Sequence, residues 1–104
     1  MATGTIQMPI SFPLVNNDSL SSAVAGNSDY TFEVDMSSKV PNGYSMALIN
    51  TVTIRSNRAS FAINGYSISN SSKKISVVLR NLTSSEKSTS VRVYAICVPA
   101  NLYG

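Results

Sequence analysis

The sequence predicts an all-β domain, an antiparallel β-sandwich of jelly-roll-like form with about six to eight strands. Apolar residues recur at every second position along most of the chain, as at Tyr30, Phe32, Val34 and Met36. Side chains at alternate positions of a strand point to opposite faces, so each strand is expected to bury one face. Turn-forming residues separate these segments, and no window carries a helical period. A small barrel would fit the same spacing.

The first predicted strand spans residues 5–14 and carries Pro9 and Pro13 on its polar face. Proline cannot donate to a ladder, so this strand is expected at a sheet edge or paired with a neighbouring subunit. Residues 15–28 are rich in Asn, Asp, Ser and Gly and are predicted to form a loop. Residues 1–28 are therefore expected to contribute an edge strand and a loop to assembly.

The next two strands are predicted over residues 29–36 and 44–54, with an Asn42-Gly43 turn between them. That dipeptide is favoured where both central turn residues have positive φ. The second of these strands is apolar on both sides: Met46, Leu48, Val52 and Ile54 share one face, and Ala47 and Ile49 lie on the other. Such a strand is central in a sandwich or touches a partner. Asn50 interrupts it and is interpreted as a β-bulge in preference to a polar residue with a backbone partner.

The last third of the chain predicts two further strands and one ambiguous segment. Residues 59–69 form either one strand with a bulge at Asn64-Gly65 or a hairpin that closes there. Strands follow over residues 75–80 and 89–98. The tail, residues 100–104, is expected to fray or to dock on a neighbour.

The composition fits one domain, residues 1–104, with 43% hydrophobic and 12% charged residues. Ser, Thr and Asn supply about a third of the chain. A polar, uncharged surface suits turns and strand faces, and it also suits a virion or adhesin surface on which many copies pack side by side. The net charge is +3. The cations are scattered, so nucleic-acid binding is not expected.

The sequence offers little reactive chemistry. It contains no histidine and a single cysteine, Cys97, which is predicted to be a small core residue. Imidazole and thiolate metal sites and Ser–His or Cys–His nucleophile systems are therefore not expected. Glu33 and Asp35 share a strand face and could form a weak cation site or half of an acid–base pair, but a solvated strand face is preferred. We expect a protein that is not an enzyme and needs no cofactor or metal.

The sequence shows no secretory signal and no apolar run long enough for a membrane span. The protein is therefore expected to be made in a bacterial cytoplasm and not to insert into a membrane. The candidate ligand or subunit contacts are four tyrosines, whose rings can stack on sugar faces, and two neighbouring arginines. They are Tyr44, Tyr66, Tyr94, Tyr103, Arg55 and Arg58.

The order of features from Asp29 onward is similar to that of a known group of proteins. A Tyr30-Thr31-Phe32-Glu33-Val34 segment is followed by Gly43-Tyr44 and a long apolar strand. A Val77-Val78-Leu79-Arg80-Asn81 segment then leads through a polar turn to Val91-Arg92-Val93-Tyr94-Ala95. This pattern resembles small all-β structural and fibre-tip proteins of phages and prophages of gut bacteria. The likeness covers roughly the last 75 residues.

The resemblance implies a virion component: a tail-fibre, tail-tip or head-fibre module that supports attachment to the host. It implies a homo-oligomer, with a trimer favoured, and contacts with other virion proteins and with a host-surface glycan or protein. No catalytic residue follows from it. The alternatives are a carbohydrate- or receptor-binding module and a capsid decoration protein.

Overall fold

Eight antiparallel strands make up the regular structure of the described residues, 12–102, in a computed structural model of the chain. The strands are β1 (Leu14–Asp18), β2 (Ser22–Val24), β3 (Asp29–Asp35), β4 (Tyr44–Ile54), β5 (Phe61–Ser69), β6 (Lys74–Asn81), β7 (Lys87–Thr89) and β8 (Val91–Pro99). Single 3₁₀ turns occupy Arg58–Ser60 and Ala100–Leu102. The prediction of an all-β antiparallel fold is confirmed.

The strands form two three-stranded sheets, in the orders β1-β8-β4 and β3-β6-β5, and β2 pairs with β7 between them. The first three strands thus run antiparallel to the last three as one long ribbon, with β1 on β8, β2 on β7 and β3 on β6. The ribbon passes from one sheet to the other, while β4 and β5 extend the two sheets. A wound antiparallel ribbon of this kind is the jelly-roll arrangement.

The core lies between the two sheets and consists of the residues that alternate inward. Their side chains are buried because both inner faces exclude water. The main contributors are Phe32, Val34, Ile75, Val77 and Leu79 from one sheet, and Met46, Val91, Val93, Ala95 and Cys97 from the other. Cys97 is fully buried, as predicted for a small core residue, and its burial raises the pKa of its thiol.

The prediction of a loop over residues 15–28 is wrong. Strand β1 begins at Leu14 and continues to Asp18, and β2 follows at Ser22–Val24. The polar residues of β1 form a strand because β8 supplies its ladder partners, from Leu14 opposite Ile96 to Asp18 opposite Arg92. Tertiary pairing here overrides local preference. β1 is an edge strand within the described part of the chain, and residues 5–11 of the predicted first strand lie outside it.

Two Asn-Gly dipeptides adopt different structures. At the first, Tyr44 N–H donates to Pro41 C=O and only Gly43 has positive φ, at 81°. That is the geometry of a type II turn, in which glycine occupies the third of the four turn positions. The expectation of positive φ at both central residues is therefore wrong. At the second, β5 continues through Asn64 with a register shift before Gly65. The bulge alternative is the one observed.

The irregular segments that connect the two sheets meet at Asn81, which is fully buried. Its amide nitrogen donates to Val24 O at 3.0 Å and to Ser85 O at 2.9 Å. Its carbonyl oxygen accepts from the N–H of Thr83 at 2.9 Å and from its hydroxyl at 2.8 Å. One side chain therefore satisfies backbone groups from both sides of the ribbon where it leaves one sheet for the other.

Close backbone packing marks the same region. A Cβ atom at Gly26 would lie 2.5 Å from the carbonyl carbon of Ser84, so glycine is required there. The N–H of Asn27 donates to Thr83 O at 2.8 Å, which joins the β2–β3 turn to the β6–β7 connection. No helix within residues 12–102 combines the length and apolar character needed to cross a membrane.

Candidate functional site

The outer face of the β1-β8-β4 sheet carries the most distinctive surface of the described chain. Strand β8 buries its odd-numbered residues, 91–97, and turns its even-numbered residues outward. Ile96 lies between Leu14 of β1 and Leu48 of β4 in the strand register. These three side chains form one row across all three strands, which we call the apolar row.

The outer residues of the apolar row are substantially exposed, Leu14 by 54% and Leu48 by 49%. Phe12, two residues before β1, is 52% exposed. Single exposed apolar residues are ordinary, whereas a contiguous exposed group usually marks a contact surface. The row is therefore a candidate site for contact with another protein.

Leu48 reaches this face because of an irregularity in β4. The register shifts between Met46 and Leu48, and again between Ile49 and Thr51. The first shift makes Ala47 an extra residue, so that Met46 is buried in the core while Leu48 points out. The prediction that Met46 and Leu48 share a face is wrong for this reason. The second shift confirms the predicted bulge at Asn50.

A charged cluster lies at the far end of the same face. Asp18 Oδ1 accepts from Arg92 Nε at 2.7 Å, and its Oδ2 accepts from an Arg92 terminal nitrogen at 3.1 Å. Arg55 Nη1 also donates to Asp18 Oδ2, at 2.9 Å. Arg92 thus binds the carboxylate with two nitrogens in the forked geometry that guanidinium favours. The cluster gives the apolar row a polar boundary.

The arrangement shifts the pKa values of both main partners. The hydrogen bond from Arg92 lowers the pKa of Asp18, and the positive charges of Arg55 and Arg92 lower it further against the opposing effect of desolvation. The hydrogen bond from Asp18 raises the pKa of Arg92 above its ordinary value. The carboxylate is therefore ionised well below neutral pH.

Asp18→Asn is expected to lower stability at pH 7, with an effect that fades in acid. The folded-state pKa of Asp18 lies below its ordinary value of 3.8, so the ionised group stabilises the fold above that value. The stabilisation is lost as the pH falls through the folded-state pKa. Urea-unfolding midpoints of the variant and the natural chain should converge below about pH 4. The gap at pH 7 should be small, since the pair is partly exposed.

Glu86→Gln is the control for this titration, because Glu86 is exposed and forms no ion pair within residues 12–102. Its unfolding midpoint at pH 7 should stay close to that of the natural chain, because no ion pair is lost. An Asp18→Asn difference that persists unchanged at pH 2 would show that the ion pair is not its cause.

The structure does not bring Tyr44, Tyr66 and Tyr94 together. Tyr44 begins β4 and packs partly buried against the core, while Tyr66 lies within β5 in the other sheet and is 63% exposed. Tyr94 lies on the outer face of β8 between Asn16 and Thr51, so it borders the apolar row. Tyr103 lies outside the described residues.

The two candidate arginines also lie in different surroundings. Arg55 belongs to the Asp18 cluster, whereas Arg58 is exposed in the 3₁₀ turn after β4. Glu33 Oε1 lies 3.8 Å from Lys74 Nζ across the β3–β6 ladder. The Ser37 hydroxyl lowers the pKa of the Asp35 carboxyl, and the hydrogen bond from Ser37 N–H to the same carboxylate lowers it further. Among residues 12–102 no group of three acidic, His or Cys side chains is placed to hold a metal ion.

A second surface feature is a groove of about 370 Å³ beside strand β3. Residues 19–21, which connect β1 to β2, and Ser22, which begins β2, form one side, and residues 30–33 of β3 form the other. The rings of Tyr30 and Phe32 meet edge to face, with centroids 4.8 Å apart. Leu20, on the opposite side, is 89% exposed. The groove therefore combines apolar side chains with the edge of a sheet.

Sequence reasoning missed the apolar row and the groove. Leu14, Leu48 and Ile96 are far apart in the chain, and only the ladder register brings them together. The one signal was the two-sided apolar character of β4. Comparison with protein-family models, curated proteins and solved structures finds no match to the chain.

Proposed function

We propose that this chain is a non-enzymatic structural protein of a phage virion, a tail-fibre, tail-tip or head-fibre module that supports host attachment. In this proposal it works as a homo-oligomer in contact with other virion proteins. The observation that carries the proposal is the apolar row, an exposed surface that extends over three strands. The virion assignment draws on the resemblance in strand order from Asp29 onward.

The surroundings of the apolar row favour a second copy of the chain as its partner. The residues next to it on β1, β8 and β4 are Asn16, Tyr94 and Thr51, none of which is charged at neutral pH. Charge is confined to the Asp18 cluster at one end. An apolar, charge-free centre with an aromatic residue and a polar rim is the usual anatomy of a protein interface. Two such faces can meet without opposing like charges.

Leu48→Ser is expected to weaken self-association while leaving the fold intact. Leu48 is already half exposed, so its loss removes little core packing. Size-exclusion chromatography with light scattering should show a mass that falls toward the 11.1 kDa of one chain. Leu82→Ser is the matched control, since Leu82 is 57% exposed but follows β6 in the other sheet. It should keep the oligomer, and equal effects of the two variants would contradict the assignment of the face.

The virion placement is tested on particles. Immunoblots of phage particles purified from a host that encodes the chain should detect it in the tail or fibre fraction. Recovery on tailless heads would favour capsid decoration instead. Recovery only in the particle-free lysate would contradict the placement. No observation favours a glycan site, because the described tyrosines lie on different surfaces.

A further inference from the structure

The groove beside β3 exposes backbone groups as well as apolar side chains. Asn17 Nδ2 donates to Asp35 O at 2.8 Å, so this carbonyl points away from β6, while the N–H of Met36 bonds toward the β6 side. Peptide groups in a strand alternate in direction with a period of two. Thr31 and Glu33 therefore turn their N–H and C=O groups toward the groove.

Strand β3 is the best continuous acceptor among the sheet edges of the described chain. It keeps an unbroken seven-residue register with β6, from Asp29 to Asp35. By contrast, β4 contains two register shifts and β5 contains one. In addition, the Asn70 side chain bonds both the N–H and the C=O of Met46 on the outer edge of β4. Bulges and side-chain caps of this kind block strand addition, whereas on β3 the Asn17 cap lies at the last residue, Asp35, beyond the residues that line the groove.

Residues 1–11 have the pattern that such an edge accepts. Ile6, Met8 and Ile10 alternate with polar residues or Pro9, and the segment contains no charged side chain. An apolar alternation predicts a strand with one face for burial. An extended segment that adds to an exposed sheet edge gains backbone hydrogen bonds and places alternate side chains in pockets.

The direction of β1 makes the groove of a second copy the natural acceptor. β1 runs from Leu14 toward the groove, which begins at Ser19, so the described chain enters β1 at the end that lies away from the groove. To reach the groove of its own chain, the segment of residues 1–11 would have to turn back and run roughly 23 Å alongside β1. A passage of that length takes about seven residues, those from 5 to 11, so Ile6 to Ile10 could not lie in the chain's own groove.

We infer that residues 1–11 of one copy add as a strand to β3 of a second copy, with Ile6, Met8 and Ile10 in the groove. This inference rests on the proposed function, since it names a contact through which copies assemble. The contact uses two different surfaces, so it is heterologous, and such contacts close into a ring when the rotation between copies allows it. A ring of three copies would satisfy every arm and every groove.

Pro9 determines the direction of the added strand. Thr31 and Glu33 face the groove through their peptide groups but hold their side chains on the outer face of β3. In an antiparallel addition their partners would be outward-facing arm residues, which include Pro9 with no N–H to donate. In a parallel addition their bonds go instead to the inward-facing residues Ile6, Met8 and Ile10. The arm therefore runs parallel to β3.

The direct test is disulfide trapping between full-length variants. The chain carrying Gln7→Cys is mixed with the chain carrying Thr31→Cys, and the native Cys97 is buried and does not compete. Under mild oxidation the mixture should form a covalent dimer. The control pairs Gln7→Cys with Tyr66→Cys, which places the thiol on the opposite edge strand of the same sheet. That mixture should stay uncoupled.

A proline variant tests the same edge without a thiol. Thr31→Pro removes an N–H that points into the groove and leaves the β3–β6 bonds in place. Tyr66→Pro does the same on β5, where Ser67 rather than Tyr66 bonds to β6. Light scattering should show a loss of oligomer for the first variant and an unchanged oligomer for the second, with matching circular dichroism spectra for both.

The outcomes separate this inference from the proposed function. An oligomeric chain that shows no Gln7→Cys to Thr31→Cys coupling, or that survives Thr31→Pro, overturns the arm contact and leaves assembly through the apolar row standing. Coupling within a single monomeric chain that carries both substitutions overturns the second copy as acceptor. A chain that is monomeric throughout overturns both.

Discussion

Leu79→Ala is expected to lower the free energy of unfolding by ~2–5 kcal/mol. Leu79 lies in the centre of β6 with no exposed surface, between β3 and β5 in its own sheet. Its truncation removes apolar burial and leaves a cavity that the flanking strands cannot fill. Urea unfolding at pH 7 would measure the change as a lower midpoint with an unchanged slope.

The neighbouring Ser76→Ala supplies the control for this measurement. Ser76 lies in the same strand but points to the outer face, so its change should cost less than ~0.5 kcal/mol. A larger effect for Ser76→Ala than for Leu79→Ala would mean that the inward and outward faces of β6 have been assigned the wrong way round. A small effect for Leu79→Ala alone would mean that the two sheets do not pack tightly over it.

Asn81→Ala is expected to lower the free energy of unfolding by a similar amount, ~2–4 kcal/mol, although it removes no apolar contact. The substitution leaves two carbonyl groups, those of Val24 and Ser85, and the N–H of Thr83 without their side-chain partner. Leaving buried polar groups unpaired costs more than the net gain from forming the bonds. The loss should therefore appear as a cooperative destabilisation of the whole ribbon.

Asn50→Ala is the matched control for Asn81→Ala. Asn50 is exposed at the second β4 bulge, where its amide reaches only the hydroxyl of Thr51, at 3.1 Å. Its replacement should change the unfolding free energy by less than ~0.5 kcal/mol. If Asn81→Ala were equally mild, water would have to satisfy the exposed backbone groups, and Asn81 would not join the two sides of the ribbon.

The alternation of apolar residues was sufficient to predict the strands that form the core. Residues 29–36 and 44–54 were placed within one residue of β3 and β4, because burial of one face leaves a period of two in the sequence. Cys97 was assigned to the core for the same reason. Strand β1 was missed because its partner β8 is about 80 residues away, and its Asn and Asp residues resemble a loop locally.

The candidate surface depended on information that the local sequence lacks. A bulge at Ala47 reverses the face of Leu48, and no glycine or proline signals it. The tyrosines could be recognised as binding residues by type, yet their positions in two different sheets are set by strand order. Strand order follows from the winding of the ribbon, and periodicity does not encode it.

We propose that this sandwich assembles with copies of itself, and sedimentation equilibrium of the full chain is the direct test. Self-association predicts a species with the mass of a small whole number of 11.1 kDa chains, three being favoured, at micromolar concentration. A single ideal species of 11.1 kDa that persists into the millimolar range would contradict it.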